Sequence, residues 1–115
     1  MTDPLDALFD ALADPTRRRL LRRLVEDGPD TASRLAADLP VTRQAVVKHL
    51  QGLVEAGLAT PERHGREVRY RATPAPLAQA VGWLLATGAQ WDERLGRLDR
   101  LARRPVAHRA SHPMP

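Results

Sequence analysis

Apolar residues in the first thirty positions recur at intervals of three and four, which is the spacing of one face of an α-helix. Two such stretches each begin with an Asp-Pro pair, Asp3-Pro4 and Asp14-Pro15. Aspartate at the N-cap followed by proline at the first helical position is a helix start signal. The sequence therefore predicts one helix over residues 4–13 and a second helix that ends near Gly28-Pro29.

The next apolar stretches predict two more helices joined by a tight connection, a helix-turn-helix arrangement. Asp30-Thr31 is suited to cap a short third helix, which Pro40 stops. The hydroxyl of Thr42 is suited to cap a fourth helix, over 42–56, and Gly57 supplies its C-terminal cap. The inward positions of this fourth helix are apolar: Val46, Leu50, Leu53 and Val54.

Beyond Gly57 the pattern changes from the period of a helix to that of a strand. Residues 67–72 alternate apolar with charged side chains, and residues 58–62 form a second short strand-like run. His64-Gly65 between them predicts a tight turn. The expected result is a β-hairpin with one basic, solvated face, placed as a wing directly after the helix-turn-helix.

A long last helix is predicted over residues 77–102. Its apolar residues alternate steps of four and three, the pattern of a heptad seam: Leu77, Val81, Leu84, Gly88, Trp91, Leu95, Leu98 and Ala102. At about 1.5 Å per residue this helix is roughly 39 Å long, more than the rest of so small a domain covers. We therefore expect much of the seam to face a second subunit.

These elements define the predicted fold class and domain organisation. The fold is mainly α with a small β-hairpin, a winged helix-turn-helix in the order α-α-α-α-β-β-α. The length of 115 residues fits one small domain. We expect this domain to cover 1–102, with a disordered tail over 103–115.

Composition and charge narrow the function. The chain has no cysteine, which excludes disulfides, thiolate metal cages and a cysteine nucleophile. Neither a bilayer-spanning apolar run nor a signal peptide is evident, so we expect a cytoplasmic protein without a membrane partner. The net charge is +4, and residues 31–73 carry seven basic against four acidic side chains. This excess favours nucleic acid as the partner, although a solvated arginine-rich surface is the alternative.

The fourth helix is the candidate recognition helix for double-stranded DNA. A helix about 10–12 Å across with its side chains fits a major groove about 12 Å wide. Arginine can fork onto guanine, glutamine can pair with adenine, and valine or threonine can contact a thymine methyl group. Lysine and histidine are better suited to phosphates, and a histidine in such a helix can equally be a capping or packing residue. The candidate DNA-binding residues are Thr42, Arg43, Gln44, Val47, Lys48 and His49 on this helix and Arg63, His64 and Arg66 at the tip of the wing, 63–66.

Four motifs in this order and spacing carry a family resemblance: residues 13–21 (ADPTRRRLL), 42–50 (TRQAVVKHL), 55–58 (EAGL) and 65–70 (GREVRY). Together they resemble the ArsR-type winged helix-turn-helix repressors, in particular their cysteine-free, SdpR-like branch. The resemblance spans about residues 5–100. One departure is Val47, where many members have a small polar residue, so that a methyl contact would replace a hydrogen bond.

The resemblance implies a homodimer built through the first and last helices. Such a dimer would bind an inverted repeat in a promoter and repress transcription, and control by its own abundance or by a ligand both stay open. The residues expected at the dimer interface are Leu5, Leu8, Leu84, Trp91, Leu95 and Leu98.

The resemblance also raises the question of metal sensing, which the family performs through cysteine pairs or through a second site on the last helix. This chain has no cysteine, and the predicted last helix has no histidine. His108 and His112 are four residues apart, but prolines bracket them in the predicted tail. We expect neither a metal nor a cofactor.

Two rival functions have less support from the residues. An enzyme would need a nucleophile and base that converge in one pocket, and no motif supplies them. A winged-helix interaction module without DNA binding would dock another protein through its long helix. An apolar or acidic outer face on the fourth helix would favour that module, whereas the face here is polar and basic.

Overall fold

The computed structural model describes residues 3–103, and its elements follow the predicted order with one addition. Among these residues, no helix combines the length and the apolar character needed to cross a membrane. Arg103, which we assigned to the tail, is the last residue of the last helix, whereas the rest of the predicted tail, including His108 and His112, lies outside the described residues. The elements are α1 (Pro4–Leu12), α2 (Pro15–Asp27), β1 (Asp30–Thr31), α3 (Ala32–Ala37), α4 (Arg43–Glu55), β2 (Ala59–His64), β3 (Glu67–Ala72) and α5 (Ala75–Arg103).

The predicted N-caps begin α1 to α4. In each, the side-chain oxygen of the cap accepts a hydrogen bond from a backbone N–H in the first turn of the helix, which satisfies a donor that has no partner within the helix. The four cap residues are Asp3, Asp14, Thr31 and Thr42. The start signals in the sequence therefore fix where these four helices begin.

The end of α4 turns the chain sharply towards the wing. Gly57 has a φ of +79°, a left-handed conformation that glycine adopts without steric cost. The N–H of Gly57 donates to the carbonyl of Val54 at 3.0 Å, and the N–H of Leu58 donates to the carbonyl of Leu53 at 2.8 Å. These two bonds form a Schellman motif, which satisfies the last carbonyls of the helix.

The sheet has three strands, and the sequence predicted only two of them. The strand order is β1-β3-β2, with both pairings antiparallel. The missed strand, β1, is two residues long, and Asp30 pairs with Tyr70 while Thr31 pairs with Arg69. A strand this short has no alternating pattern of its own, because it forms only through pairing with a distant segment. The correct order is therefore α-α-β-α-α-β-β-α.

The predicted turn of the hairpin was wrong by one residue. His64 pairs with Glu67, so Gly65 and Arg66 form the two-residue loop. Gly65 has a φ of +65°, and among the described residues only glycines have positive φ. Glycine at the first central position is typical of a type II′ turn, whose twist matches that of the flanking strands.

The last helix begins two residues earlier than predicted, at Ala75. Pro76 therefore lies within its first turn instead of in a spacer. Proline is tolerated there because the first-turn N–H groups have no partner within the helix.

The chain divides into two units, one ending at Val81 and one beginning at Gly82. We call described residues 3–81 the winged unit. Its apolar core draws side chains from every helix of the unit and from β2, and no polar or charged residue is buried among the described residues. The most deeply buried side chains are Leu8, Leu20, Leu35, Val46, Leu50, Leu53 and Leu58.

Residues 82–103, which we call the terminal segment, form the rest of α5 and have a different character. Every described residue in this segment is exposed except Gly96, which is half-buried. The exposed residues include seven large apolar side chains: Trp83, Leu84, Leu85, Trp91, Leu95, Leu98 and Leu101. The heptad seam predicted from the sequence is therefore exposed along this segment of the protomer.

Candidate nucleic-acid interface

The helix α4 has one deeply buried face and one polar face. Val46, Leu50 and Leu53 have no exposed surface and anchor the helix in the core of the winged unit. The opposite side carries exposed side chains with hydrogen-bond donors or charge: Thr42, Arg43, Gln44, Lys48 and Gln51. The burial of one face thus fixes the direction in which the polar face points.

The first turn of α4 is held by its cap. Thr42 Oγ1 accepts a hydrogen bond from the backbone N–H of Ala45 at 3.1 Å, and the carbonyl of Thr42 accepts from the N–H of Val46 at 3.0 Å. The Thr42 hydroxyl keeps its proton free for a further acceptor. The residue we predicted to contact DNA therefore also determines where the helix begins.

Arg43 is anchored to the preceding helix. Its Nε donates a hydrogen bond to Oγ of Ser33, on the first turn of α3, over 2.9 Å. The two residues are ten positions apart in the sequence, so no helical spacing relates them. The structure alone reveals this contact.

A groove of about 400 Å³ separates the start of α4 from the wing. It brings together Arg43 and Val47, predicted on the helix, with Arg66, predicted on the wing. Its remaining lining residues come from the start of α3 and from β3: Thr31, Ala32, Ser33, Glu67, Val68 and Tyr70. The missed strand β1 explains this arrangement, because its pairing with β3 ties the wing to the residue that caps α3.

The tip of the wing carries basic side chains that are available to a ligand. Arg63, His64 and Arg66 are all exposed. Among the described residues neither Arg63 nor Arg66 forms an ion pair, whereas the hairpin arginines further from the turn do. Arg69 contacts Glu67 at 3.2 Å and Arg71 contacts Glu62 at 3.5 Å. The net positive charge of the wing is therefore concentrated at its tip.

His49 lies on a different side of α4, next to the start of α2. It is half-buried, and its Nδ1 is 3.9 Å from Oδ1 of Asp14. That carboxylate already accepts the backbone N–H groups of Thr16 and Arg17 at 2.8 and 3.1 Å. The bond from Arg17 is the main cause that lowers the pKa of Asp14 below 3.8; burial opposes it, and the bond from Thr16 and the charges of His49 and Arg17 support it. The side chain of His49 therefore points towards α2. A DNA contact by His49 stays a prediction.

A second contact between α2 and α4 also escaped the sequence analysis. The guanidinium of Arg17 lies against the backbone of Gly52, where an added Cβ would be 2.7 Å from its Cζ. A crevice of about 200 Å³ beside it is lined by acidic side chains from α1 and α4, Asp10 and Glu55. Glycine in mid-helix costs stability, which was the one available signal that something packs closely there.

The residues predicted at the dimer interface have different surroundings. Leu8 is 1% exposed and belongs to the core of its own protomer, so its side chain has no surface left for a partner. Leu5 is half-buried against that core. The other four are 45 to 56% exposed on the terminal segment: Leu84, Trp91, Leu95 and Leu98.

A network of ion pairs connects α2, β1 and α3. Arg23 on α2 contacts Asp27 at 3.6 Å, Asp30 at 3.9 Å and Asp38 at 2.7 Å. Asp30 also pairs with Arg34 at 3.8 Å. These ion pairs connect α2 with both ends of α3.

A helix-turn-helix whose second helix exposes a polar face, followed by a basic β-hairpin, defines a winged helix-turn-helix DNA-binding protein. The sequence model of a family described as a helix-turn-helix domain matches residues 12–62. The chain is 45% identical over 81 residues to the HTH-type transcriptional regulator CmtR of Mycobacterium tuberculosis, covering 70% of this chain and 68% of the relative. It is 28% identical over 81 residues to the transcriptional repressor SdpR of Bacillus subtilis, covering 70% and 89%.

Solved structures agree with these relatives. An ArsR-like transcriptional regulator from Rhodococcus sp. RHA1 superposes with a TM-score of 0.75 at 42% identity, covering 86% of this chain and 92% of the other. The NMR structure of CmtR from Mycobacterium tuberculosis, described as a cadmium metal-sensor, gives a TM-score of 0.54 at 45% identity, covering 70% and 81%. The chain belongs to the ArsR family of winged helix-turn-helix transcriptional regulators. It is thus a DNA-binding regulator and not an enzyme, and both the family and the fold class predicted from the sequence are confirmed.

Proposed function

We propose that this regulator is a homodimeric, metal-independent repressor that binds an inverted-repeat operator. In this proposal α4 enters the major groove, and the wing lies on the adjacent minor groove or its phosphates. The observation that carries the proposal is the groove in which Arg43 and Val47 of α4 face Arg66 of the wing. Two elements that face one cleft with exposed basic groups are suited to bind one extended, negatively charged ligand.

Within this arrangement the α4 residues take different roles. Arg43 and Gln44 lie in the first turn, the part of a recognition helix that reaches base edges. Val47 is half-buried in the groove wall, which suits an apolar contact with a thymine methyl group. Lys48 is exposed one position further and is suited to a phosphate. For His49 we propose no base contact, because the ring lies towards Asp14.

In this proposal the wing residues contribute to DNA affinity more than to sequence specificity. Arg63, His64 and Arg66 lie at the narrow tip of a two-stranded hairpin, a shape that enters or straddles a minor groove. Contacts to phosphates fix position without reading sequence.

The dimer is supported by the exposed apolar face of the terminal segment. Apolar residues at heptad spacing that find no cover within their protomer are typical of a helix that packs on a partner. The 29 residues of α5 give a helix about 43 Å long, at about 1.5 Å per residue. A dimer would present two copies of α4 to half-sites about 34–36 Å apart, the spacing of one turn of DNA.

Metal independence is proposed from the donor atoms of the chain. Soft metals such as cadmium prefer thiolate ligands, and the sequence contains no cysteine. Within residues 3–103, no group of three or more histidine, aspartate or glutamate side chains is arranged to hold an ion. We therefore propose that DNA binding neither needs nor responds to a metal, although CmtR is described as a cadmium sensor.

Footprinting on the DNA upstream of the protein's own coding sequence tests this function. We expect a protected inverted repeat, with the same protection when cadmium, zinc or a chelator is added. If each dimer neutralises about six to eight phosphates, the logarithm of affinity falls with that of salt concentration at a slope of about −5 to −7. Metal-dependent protection would contradict metal independence alone. A flat salt response, or equal affinity for every duplex, would contradict operator recognition.

A further inference from the structure

The hydrogen bond between Arg43 and Ser33 fixes the arginine on the wall of the groove. Ser33 is the second residue of α3, and the start of this helix is itself fixed in two ways. Thr31 caps it, accepting the N–H of Arg34 at 3.2 Å, and Thr31 also pairs with Arg69 of the wing. The Oγ of Ser33 is thus presented from a well-anchored turn to Nε of Arg43 at 2.9 Å.

This bond determines which donors of Arg43 remain for DNA. A guanidinium has five N–H donors in a rigid planar fork. With Nε donating to Ser33, the four N–H groups on the two terminal nitrogens remain available. A pair of these donors pointing end-on matches O6 and N7 of guanine.

Orientation matters because the Arg43 side chain is exposed. A free arginine of this kind samples many rotamers, and ordering it on binding reduces affinity. A contact already present in the free protein removes part of this cost, and only for the DNA sequence that matches the resulting orientation.

We propose that Ser33 is a positioning residue for sequence recognition: its hydroxyl holds the Arg43 guanidinium end-on towards the base edges and so favours guanine at the position that Arg43 contacts. The inference rests on the proposed function, since it concerns the same DNA surface. Ser33 itself carries no charge and was not among the residues that the sequence pattern singled out.

The experiment compares the wild type with Ser33→Ala, Ser33→Thr, Arg43→Ala and the double variant Ser33→Ala/Arg43→Ala. Each is titrated with the footprinted operator, with operators in which each G·C pair is replaced by A·T in turn, and with random duplex. Thermal unfolding checks that the variants fold. In the free protein, exchange of the Arg43 Nε proton with water is followed by NMR, which reports the hydrogen bond without any DNA.

We expect Ser33→Ala to weaken operator binding about 3- to 10-fold while changing binding to random duplex less than about 2-fold. The discrimination against A·T should fall at one base-pair position per half-site, the same position that Arg43→Ala affects. In the Arg43→Ala background the serine substitution should have no further effect, and Ser33→Thr, which keeps the hydroxyl, should restore both affinity and slow exchange.

Three results would overturn the inference. An unchanged exchange rate in Ser33→Ala would show that the bond does not hold Arg43. An equal loss on operator and random duplex, or a loss that persists without Arg43, would show that the hydroxyl contacts a phosphate directly. If the wild type does not discriminate operator from random duplex, the proposed function fails and the role in recognition falls with it, whereas the NMR result still reports separately on the contact.

Discussion

Large apolar side chains are buried in the core of the winged unit and exposed on the terminal segment. In the winged unit, seven large apolar side chains are at most 1% exposed. In the terminal segment, seven large apolar side chains are between 45 and 68% exposed. Both regions are rich in leucine, so composition does not account for the difference.

This difference in burial indicates which contacts stabilise each region. The winged unit closes its own core, so the proposed DNA-binding surface rests on packing within one chain. A helix in water without tertiary packing is marginal, and the terminal segment buries almost nothing within the protomer. Its apolar face therefore points to assembly, and the two regions divide the proposed work between reading DNA and pairing protomers.

The largest effect is expected from the core of the winged unit. Leu50→Ala removes a fully buried side chain of α4, which should lower the free energy of unfolding by about 2–5 kcal/mol. Urea denaturation at a fixed protein concentration measures the change. The matched control is Leu85→Ala, at a position 68% exposed and off the heptad seam, with an expected loss of about 0.5 kcal/mol or less. Similar losses in both variants would remove the distinction between the two regions.

The next effect concerns association. Leu95→Glu places a carboxylate on the seam, where a dimer would bury it without a partner, so we expect dimer affinity to fall at least about 100-fold. Analytical ultracentrifugation measures the change. Leu85→Glu introduces the same charge off the seam and should leave the dimer intact. Operator affinity should fall with Leu95→Glu as well, because one protomer engages only one half-site.

Wild-type and Leu95→Glu proteins that sediment alike would contradict the proposed role of the terminal segment. If both were monomeric and both protected the operator, DNA binding would belong to the winged unit alone. The comparison between regions would then stand without its assembly function.

A smaller effect separates sequence-specific from sequence-independent DNA contacts within the winged unit. Arg43→Ala should cost about 1–3 kcal/mol of operator binding and relax base preference, while Arg66→Ala should weaken all sequences alike. Titration of operator and random duplex with each variant measures both quantities. Neither substitution should change sedimentation, since neither residue is among those expected at the dimer interface. Equal losses on the two duplexes for both variants would contradict this division of roles.

Local features of the fold were predictable from the sequence because their signals lie within a few residues. The start of α2 follows from Asp14-Pro15, and the end of α4 follows from Gly57, since capping and left-handed φ are local properties. The exposed polar positions of α4 follow from helical periodicity once the buried face is known. The exposed seam of the terminal segment follows from its heptad spacing in the same way.

The features that were missed depend on contacts between distant segments. The strand β1 exists only because Asp30 and Thr31 meet β3 some forty positions later. Leu8 has the same sequence pattern whether it faces its own core or a partner, so only the packing of the protomer assigns it. The Ser33–Arg43 hydrogen bond likewise depends on how α3 and α4 pack, a relation that spacing does not encode.

The smallest predicted effect tests the start of α2, where Asp14 contacts both the helix backbone and His49. The N–H of Arg17, donating to the carboxylate, is the main cause that lowers its pKa below 3.8 in the folded protein. A carboxyl group whose pKa is lowered by folding stabilises the protein above its unfolded pKa, and this stability is lost as the pH falls through the folded value. Asp14→Ala should therefore reduce unfolding free energy by about 0.5–2 kcal/mol at pH 7, and by less at pH 3 or below. Urea denaturation at the two pH values measures this difference.

Two substitutions sharpen the interpretation of that pH dependence. Asp14→Asn keeps an oxygen that accepts the Thr16 and Arg17 N–H groups but carries no charge, so its deficit relative to wild type should appear at pH 7 and vanish in acid. Asp3→Ala removes the cap of α1, which is exposed and distant from α4 in sequence, and serves as the control for losing a cap as such. Dimer affinity should stay unchanged in the two Asp14 variants, because Asp14 caps α2, a helix that is not expected at the dimer interface. A deficit for Asp14→Asn that grows as the pH falls would reverse the sign of the linkage and show that the carboxylate does not stabilise the start of this helix.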